Sequence, residues 1–395
     1  MYKIEMIEGG VCAAEGFYAD GVSAGLKPGG AKDVAFIYSD TLCEIASVFT
    51  TNKMTAAPIR HFWRYGKVQS NCILINAKNA NAMTGDAGID DIDEVLEVLT
   101  SRFEQIHNPI MSSTGVIGVR LPKETIKVGI RKFHLRVKNS QAAAAAIMTT
   151  DRFAKQIALR VTLEDGGVFH IGAIAKGAGM INPAMATMLC FITTDAQCYS
   201  DAMQEILNDV VTRTFNAISV DGDTSTNDTV LLLSNQKSGC YDAAAFQEAL
   251  EQVMLHLAKA MTRDGEGASK LVTFDISGAR NDAEAQIAAK ALSNSLLMKT
   301  ALFGEDPNWG RVASTIGASG IACDEKCLRI AFDDVCVYDK GTVFFDKLME
   351  ERAVEVMRRS EFTIACDLGL GAGSFRAYGC DLGYEYVKIN ADYRT

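Results

Sequence analysis

The chain reads as a layered α/β protein, because short β-rich runs and amphipathic helical runs occur in both of its halves. Its 395 residues suffice for one large α/β domain with insertions or for two domains. A hydrophobic content of 48% beside 22% charged residues supplies apolar surface for a core and excludes a disordered chain.

Taken in order, the first half is richer in strands. The segments 33–39 (DVAFIYS), 44–50 (EIASVFT) and 71–77 (NCILINA) are β-branched or aromatic and bounded by turn formers. Residues 90–103 place Ile92, Val95, Leu96, Leu99 and Phe103 at helical spacing, and 141–151 reads as a short alanine-rich helix with a polar end. Residues 161–177 read as a hairpin turning at Asp165-Gly166. The second half is more helical. Residues 200–218 carry a serine in the N-cap position and apolar residues at Met203, Ile206, Leu207, Val210 and Val211. Helices are also predicted over 242–264 and 282–302, separated by strands at 270–277 and 361–369. No internal repeat and no Pro- or Ser-rich linker marks a boundary.

A net charge of −10 and no Lys/Arg-rich run argue against a nucleic-acid partner. The eleven cysteines are scattered, and Cys323 and Cys327 lack the second pair or histidine that a metal shell needs, so reduced core thiols and no metal are expected. The opening MYKIEMIEGG has no apolar stretch of a signal peptide, and no run of 18 apolar residues follows. A cytoplasmic protein without a membrane span is the expectation.

Several motifs fail on context. GVSAG (21–25) fits a nucleophile elbow, but Pro28-Gly29-Gly30 would stop the required helix, so a turn is expected. DGDTSTND (221–228) starts like a calcium loop yet has Thr226 and Leu232 where Gly and Glu are required. GLGAG (369–373) reads as a glycine-rich turn, and His61, His107, His134, His170 and His256 form no zinc spacing.

What remains is a hydroxyl without a histidine base. The stretch AKGAGMINPAMATMLCFITTDA (175–196) runs from Lys176 through Gly177, Gly179 and the Asn182-Pro183 step to Ala186-Thr187. A threonine freed at its N-terminus carries its own proton acceptor, an α-amine with a reference pKa of about 7.7–8.0. The glycines and the Asn-Pro step suit a bond strained for cutting. On spacing alone, Thr187 as the plain first residue of a strand remains the simpler reading.

The segments 175–196, SVDGDTSTNDT (219–229), GEDPNWGRV (304–312) and INADYRT (389–395), with FYADGVSAGLK and SSTGVIG (112–118), together resemble the ornithine acetyltransferase family of arginine biosynthesis. The resemblance runs from about residue 8 to the last residue. It implies an N-terminal-nucleophile-like α/β fold, built from two self-cleaved pieces of one precursor. Cutting between Ala186 and Thr187 would leave an α piece, 1–186, and a β piece, 187–395, in an α2β2 assembly. It further implies that Thr187 takes the acetyl group of N2-acetyl-L-ornithine and passes it to L-glutamate, with no cofactor. By matched position Thr114 and Gly115 form an oxyanion hole, and Thr150, Lys176, Thr187, Glu266, Asn390 and Thr395 contact substrate. The plain alternatives are turn residues for the first pair and solvated surface charges for Lys176 and Glu266.

One loop departs from the family pattern. NAKNANAMTG (76–85) has Lys78 where the family carries glycine and Met83 where it carries cysteine, which puts the local backbone in question, while Asn79 and Asn81 keep its polar scaffold. Three other functions stay open: a bifunctional enzyme that also uses acetyl-CoA, an amidohydrolase or aminopeptidase that releases the acyl-threonine to water, and a scaffold that never cuts itself.

Overall fold

A computed structural model of the protein describes residues 1–66, 69–182 and 188–392. Its strands form two sheets. The nine-stranded sheet runs in the order Lys3–Ile7, Lys155–Thr162, Val168–Lys176, Leu189–Thr194, Thr229–Ser234, Val34–Phe49, Gln69–Asn76, Ile110–Ser113, with Phe17–Val22 also paired to Val34–Phe49. The seven-stranded sheet runs Thr342–Val343, Val335–Asp339, Arg329–Phe332, Glu361–Asp367, Leu271–Ala279, Gly373–Cys380, Ile218–Ser219.

The central strands of the larger sheet are buried on both faces, which is why they read as unbroken apolar runs. In Leu189–Thr194, Cys190 and Ile192 point into one core while Leu189 and Phe191 point into another. Thr229–Ser234 divides the same way, with Val230 and Leu232 against Leu231 and Leu233. Helices Ser200–Arg213 and Ala243–Arg263 cover the first face. Ala243–Arg263 is packed from both sides, since its core also takes in Leu271, Tyr378 and Cys380 of the smaller sheet. Helix Ser140–Ile147 covers part of the second face, and Ala87–Arg102 with Lys123–Ile130 closes the core beyond it. The smaller sheet packs its own core against Asp282–Asn294, Leu296–Phe303, Trp309–Ala318 and Lys347–Met357.

The layered α/β expectation is borne out, and the Asp165-Gly166 hairpin joins Lys155–Thr162 to Val168–Lys176 with Gly166 at φ +87°. Other expectations need correction. The segments 33–39 and 44–50 are one continuous strand, Val34–Phe49, because each part has its own partner. Residues 34–38 pair with Gln69–Asn76 and Phe17–Val22, residues 44–49 pair with Thr229–Ser234, and the register shifts between Tyr38 and Cys43. The helix expected over 282–302 breaks at Ser295, whose hydroxyl accepts the Met298 N–H and starts a second helix. Ser200 is a first-turn residue rather than a cap, since its hydroxyl donates to Glu44. GVSAG is indeed no elbow. Its loop wraps the buried carboxylate of Asp33, which accepts the N–H groups of Ala24, Gly25, Leu26 and Lys27 at 2.5–3.0 Å.

All eleven cysteines are free, and burial pushes the Cys43 thiol up to about 12. Among the described residues no helix is long and apolar enough to cross a membrane.

Candidate active site

Strand Val168–Lys176 ends in a lysine whose side chain turns inward. Lys176 is 3% exposed, so it is not a solvated surface charge. Its Nζ donates to Thr114 Oγ1 at 3.3 Å. Thr114 and Gly115 directly follow strand Ile110–Ser113. Gly115 has φ +135°, and a Cβ there would lie 2.2 Å from the carbonyl carbon of Lys78, so glycine alone fits this crossing of two loops.

The loop that presses on Gly115 is held by its asparagines. Asn76 donates to the Asn79 carbonyl, Asn79 to the carbonyls of Val119 and Arg120, and Asn81 to Gly88. Asn227 reaches across to the carbonyls of Ala80 (2.7 Å) and Ser113 (2.9 Å) and so ties this loop to segment 221–228. Lys78 and Met83 both sit in the left-handed region, at φ +71° and +58°. The loop therefore keeps a shape suited to glycine while carrying side chains there, and stores strain of about 1–2 kcal/mol per residue.

The opposite wall begins after helix Ala243–Arg263. Glu266 donates its N–H to the Ala178 carbonyl at 2.8 Å, and a Cβ at Gly179 would come within 2.5 Å of the Glu266 carboxyl group. Gly179 thus makes room for the carboxylate. From the C-terminal helix Tyr384–Asp392, Asn390 donates to Glu266 Oε2 at 2.7 Å and Tyr386 donates to Asp221 Oδ2 at 3.2 Å. Asp221 also accepts the N–H groups of Met180 (2.7 Å) and Ile181 (2.9 Å). Burial raises its pKa against those bonds.

These groups line one pocket of about 190 Å³, which holds Thr114, Gly115, Thr150, Lys176, Glu266 and Asn390 together. The structure thus brings together six residues expected from sequence. Ala186, Thr187 and Thr395 lie outside the described residues. Just beyond that gap, Met188 donates its N–H to Asp228 Oδ1 at 2.9 Å, and Thr229 donates to the Met188 carbonyl at 3.1 Å. Asp228 is fully buried, and burial holds its carboxyl well above the usual carboxylate range. Its Oδ2 completes no hydrogen bond among the described residues, since nearby Thr50 donates instead to the Ser225 carbonyl.

Lys176 is lowered by burial, with the carboxylate of Asp151 opposing that effect. Asp151, Asp221, Asp228, Asn227 and Tyr386 were not singled out by sequence. A signal existed for four of them: Asp151 follows Thr150 directly, and the three from 221–228 lie in the rejected calcium-like motif. Tyr386 carried none. Among the described residues no His/Cys/Asp/Glu group is arranged to hold a metal ion.

A model of the ArgJ family matches residues 18–395. The chain is 61% identical to the arginine biosynthesis bifunctional protein ArgJ of Wolinella succinogenes over 396 residues, covering 100% of both proteins. It is 44% identical to the protein of that name from Geobacter sulfurreducens, over 96% of this chain and 99% of the other. Among solved structures, the bifunctional ArgJ protein of Bacillus halodurans is 38% identical with a TM-score of 0.48, over 51% of this chain and 97% of the other.

Proposed function

The chain belongs to the ArgJ family, and from that premise we propose that it is an acetyltransferase of arginine biosynthesis that moves the acetyl group of N2-acetyl-L-ornithine to L-glutamate. The observation that supports this most is the meeting of Thr114, Gly115, Thr150, Lys176, Glu266 and Asn390, from separate stretches of chain, around one pocket.

In this reading the precursor cuts itself at Ala186–Thr187, and the freed α-amine of Thr187 takes the proton of its own hydroxyl. The oxygen attacks the acetyl carbonyl. The Thr114 hydroxyl and Gly115 N–H receive the developing oxyanion, where losing one such donor costs about 2.7–4 kcal/mol. The C–N bond then breaks, the proton passes to the departing amine, and ornithine leaves an acetyl-threonine. The amine of glutamate attacks this ester in the second half-reaction and regenerates the free threonine. Lys176 pairs with a substrate carboxylate and Glu266 with an ammonium group, while Thr150, Asn390 and Thr395 complete the substrate contacts.

The two pieces, 1–186 and 187–395, would stay together after cutting because they share a sheet. Strand Leu189–Thr194 of the β piece pairs with Val168–Lys176 of the α piece, and Thr229–Ser234 pairs with Val34–Phe49. Assembly as α2β2 belongs to the same proposal, as does a cytoplasmic location.

Thr187→Ala is expected to abolish both cutting and turnover. Intact mass under denaturing conditions, with an N-terminal read of the smaller fragments, checks the first, and acetyl transfer to glutamate checks the second. Active wild-type protein found only at full length would overturn the reading. The word bifunctional in the relatives' names favours a second reading, in which acetyl-CoA also serves as donor. Kinetics with acetyl-CoA as the sole donor decide it. Acetyl release to water in preference to glutamate would instead mark an amidohydrolase.

A further inference from the structure

A cation buried as deeply as Lys176 needs a counter-charge built into the fold. The carboxylate of Asp151 accepts the N–H of Gly177, the residue after Lys176, and acts on Lys176 through space rather than by a direct ion pair. Its Oδ2 accepts the Thr149 N–H at 3.0 Å and its Oδ1 accepts the Gly177 N–H at 2.8 Å, so it is bonded to the backbone next to Thr150 and next to Lys176. Lys155 Nζ donates to Asp151 Oδ1 at 2.8 Å and to Asp264 Oδ2 at 2.5 Å. The side chains of Asp151, Lys155 and Asp264 are all 0% exposed. Arg152 closes the chain, with its Nε 2.9 Å from Asp264 Oδ1. Asp264 in turn stands two residues before Glu266. One buried ionic chain therefore anchors the segments that carry Thr150, Lys176 and Glu266.

We infer that Asp151, itself fixed by the buried chain to Lys155 and Asp264, is a positioning residue that keeps Lys176 charged and seated, so that the pocket selects an acceptor bearing a free carboxylate. This rests on the acetyl-transfer reading for the identity of the acceptor, glutamate. The groups that act on Lys176 are Asp151, Lys155, Asp228 and Glu266, with Lys27 nearby. Burial lowers Lys176, Asp151 is the strongest influence opposing it, and Lys155 adds to the lowering. Burial alone would raise Asp151, but Lys176 and Lys155 outweigh it and bring the carboxyl to about 2, so it stays ionised throughout the neutral range. Asp228 and Glu266 also oppose the lowering, but less than Asp151, whose carboxylate is therefore the main counter-charge.

The test uses full-length Asp151→Asn and Lys155→Met proteins labelled with 15Nζ-lysine. The Lys176 signal is titrated by NMR, and kcat/KM for glutamate is measured against pH. In Asp151→Asn the Lys176 titration and the alkaline limb of kcat/KM both move to lower pH. On that limb kcat/KM falls about ten-fold, mostly through KM. Lys155→Met removes a like charge, so both curves move the opposite way. Curves that stay in place, or a loss confined to kcat with no pH movement, overturn the proposal. Should Asp151→Asn fail to fold, Asp151→Ser, which keeps an acceptor for the Gly177 N–H but no charge, takes its place with the same expected shift. The NMR titration needs no turnover, so absent acetyl transfer in the wild type would count against the functional reading and leave this result standing.

Discussion

Lys176 and Glu266 face one pocket with opposite charge and opposite support. Lys176 ends a core strand, is 3% exposed, and is followed by a peptide N–H that bonds the buried Asp151 carboxylate. Glu266 is half-buried, and its carboxylate accepts from Asn390 on a helix that has no buried residue. The cationic wall is thus assembled when the core folds, whereas the anionic wall depends on how the C-terminal helix lies. A buried charge demands partners in advance, and a half-open one is served by water until substrate arrives.

The sharpest way to break this contrast is Lys176→Met. It leaves Asp151 with Lys155 and takes away the carboxylate partner, so kcat/KM for either amino-acid substrate is expected to fall about 100-fold or more, as for a buried charged pair. Steady-state kinetics on both half-reactions check it. A smaller loss is expected at the other wall. Glu266→Gln costs about 1.5–3 kcal/mol in kcat/KM, and Asn390→Ala about 1 kcal/mol, if the charge-assisted bond outweighs the neutral one. Equal effects at the two walls would mean that burial does not separate them.

Asp228 sharpens the comparison through pH. Its folded-state pKa is raised, so the native protein binds a proton there that the unfolded chain has released above the ordinary value of 3.8. That contribution to stability is present at low pH and is lost as pH rises through the folded value. Asp228→Asn keeps an acceptor for the Met188 N–H and removes the ionisation, so denaturant midpoints should decline less on going from pH 4 to pH 8 than in the wild type. The smallest effect belongs to the loop at φ +71°. Lys78→Gly relieves about 1–2 kcal/mol of left-handed strain and loses roughly 0.4–1 kcal/mol to a freer unfolded chain, for a net gain of about 0–1.6 kcal/mol in thermal unfolding.

Much of the fold was legible because its periodicities are local. The apolar spacing over 90–103 and the Asp-Gly turn of the hairpin each specify their element within a few residues, and the helix Ala87–Arg102 and the Lys155–Lys176 hairpin follow. The segments 33–39 and 44–50 could not be joined from sequence, since their continuity rests on two different partner strands, one of them almost 200 residues away. The site divides similarly. Six of the residues that line the pocket were legible through matched motifs, and the glycine at 115 through its motif alone. Its reason, contact with the Lys78 backbone, is a tertiary one.

The amino-acid sequence by itself determined the α/β class, the family and six of the residues that line the pocket. These depend on short-range patterns and on residue identity. Only the tertiary structure decided that Asp151, Lys155 and Asp264 form a buried chain under those residues, that Asp228 holds the peptide N–H of Met188, and that Lys176 is interior. The ionisation of a side chain depends on what surrounds it in three dimensions. Its neighbours are chosen by strand pairing across the whole chain, which local spacing cannot report.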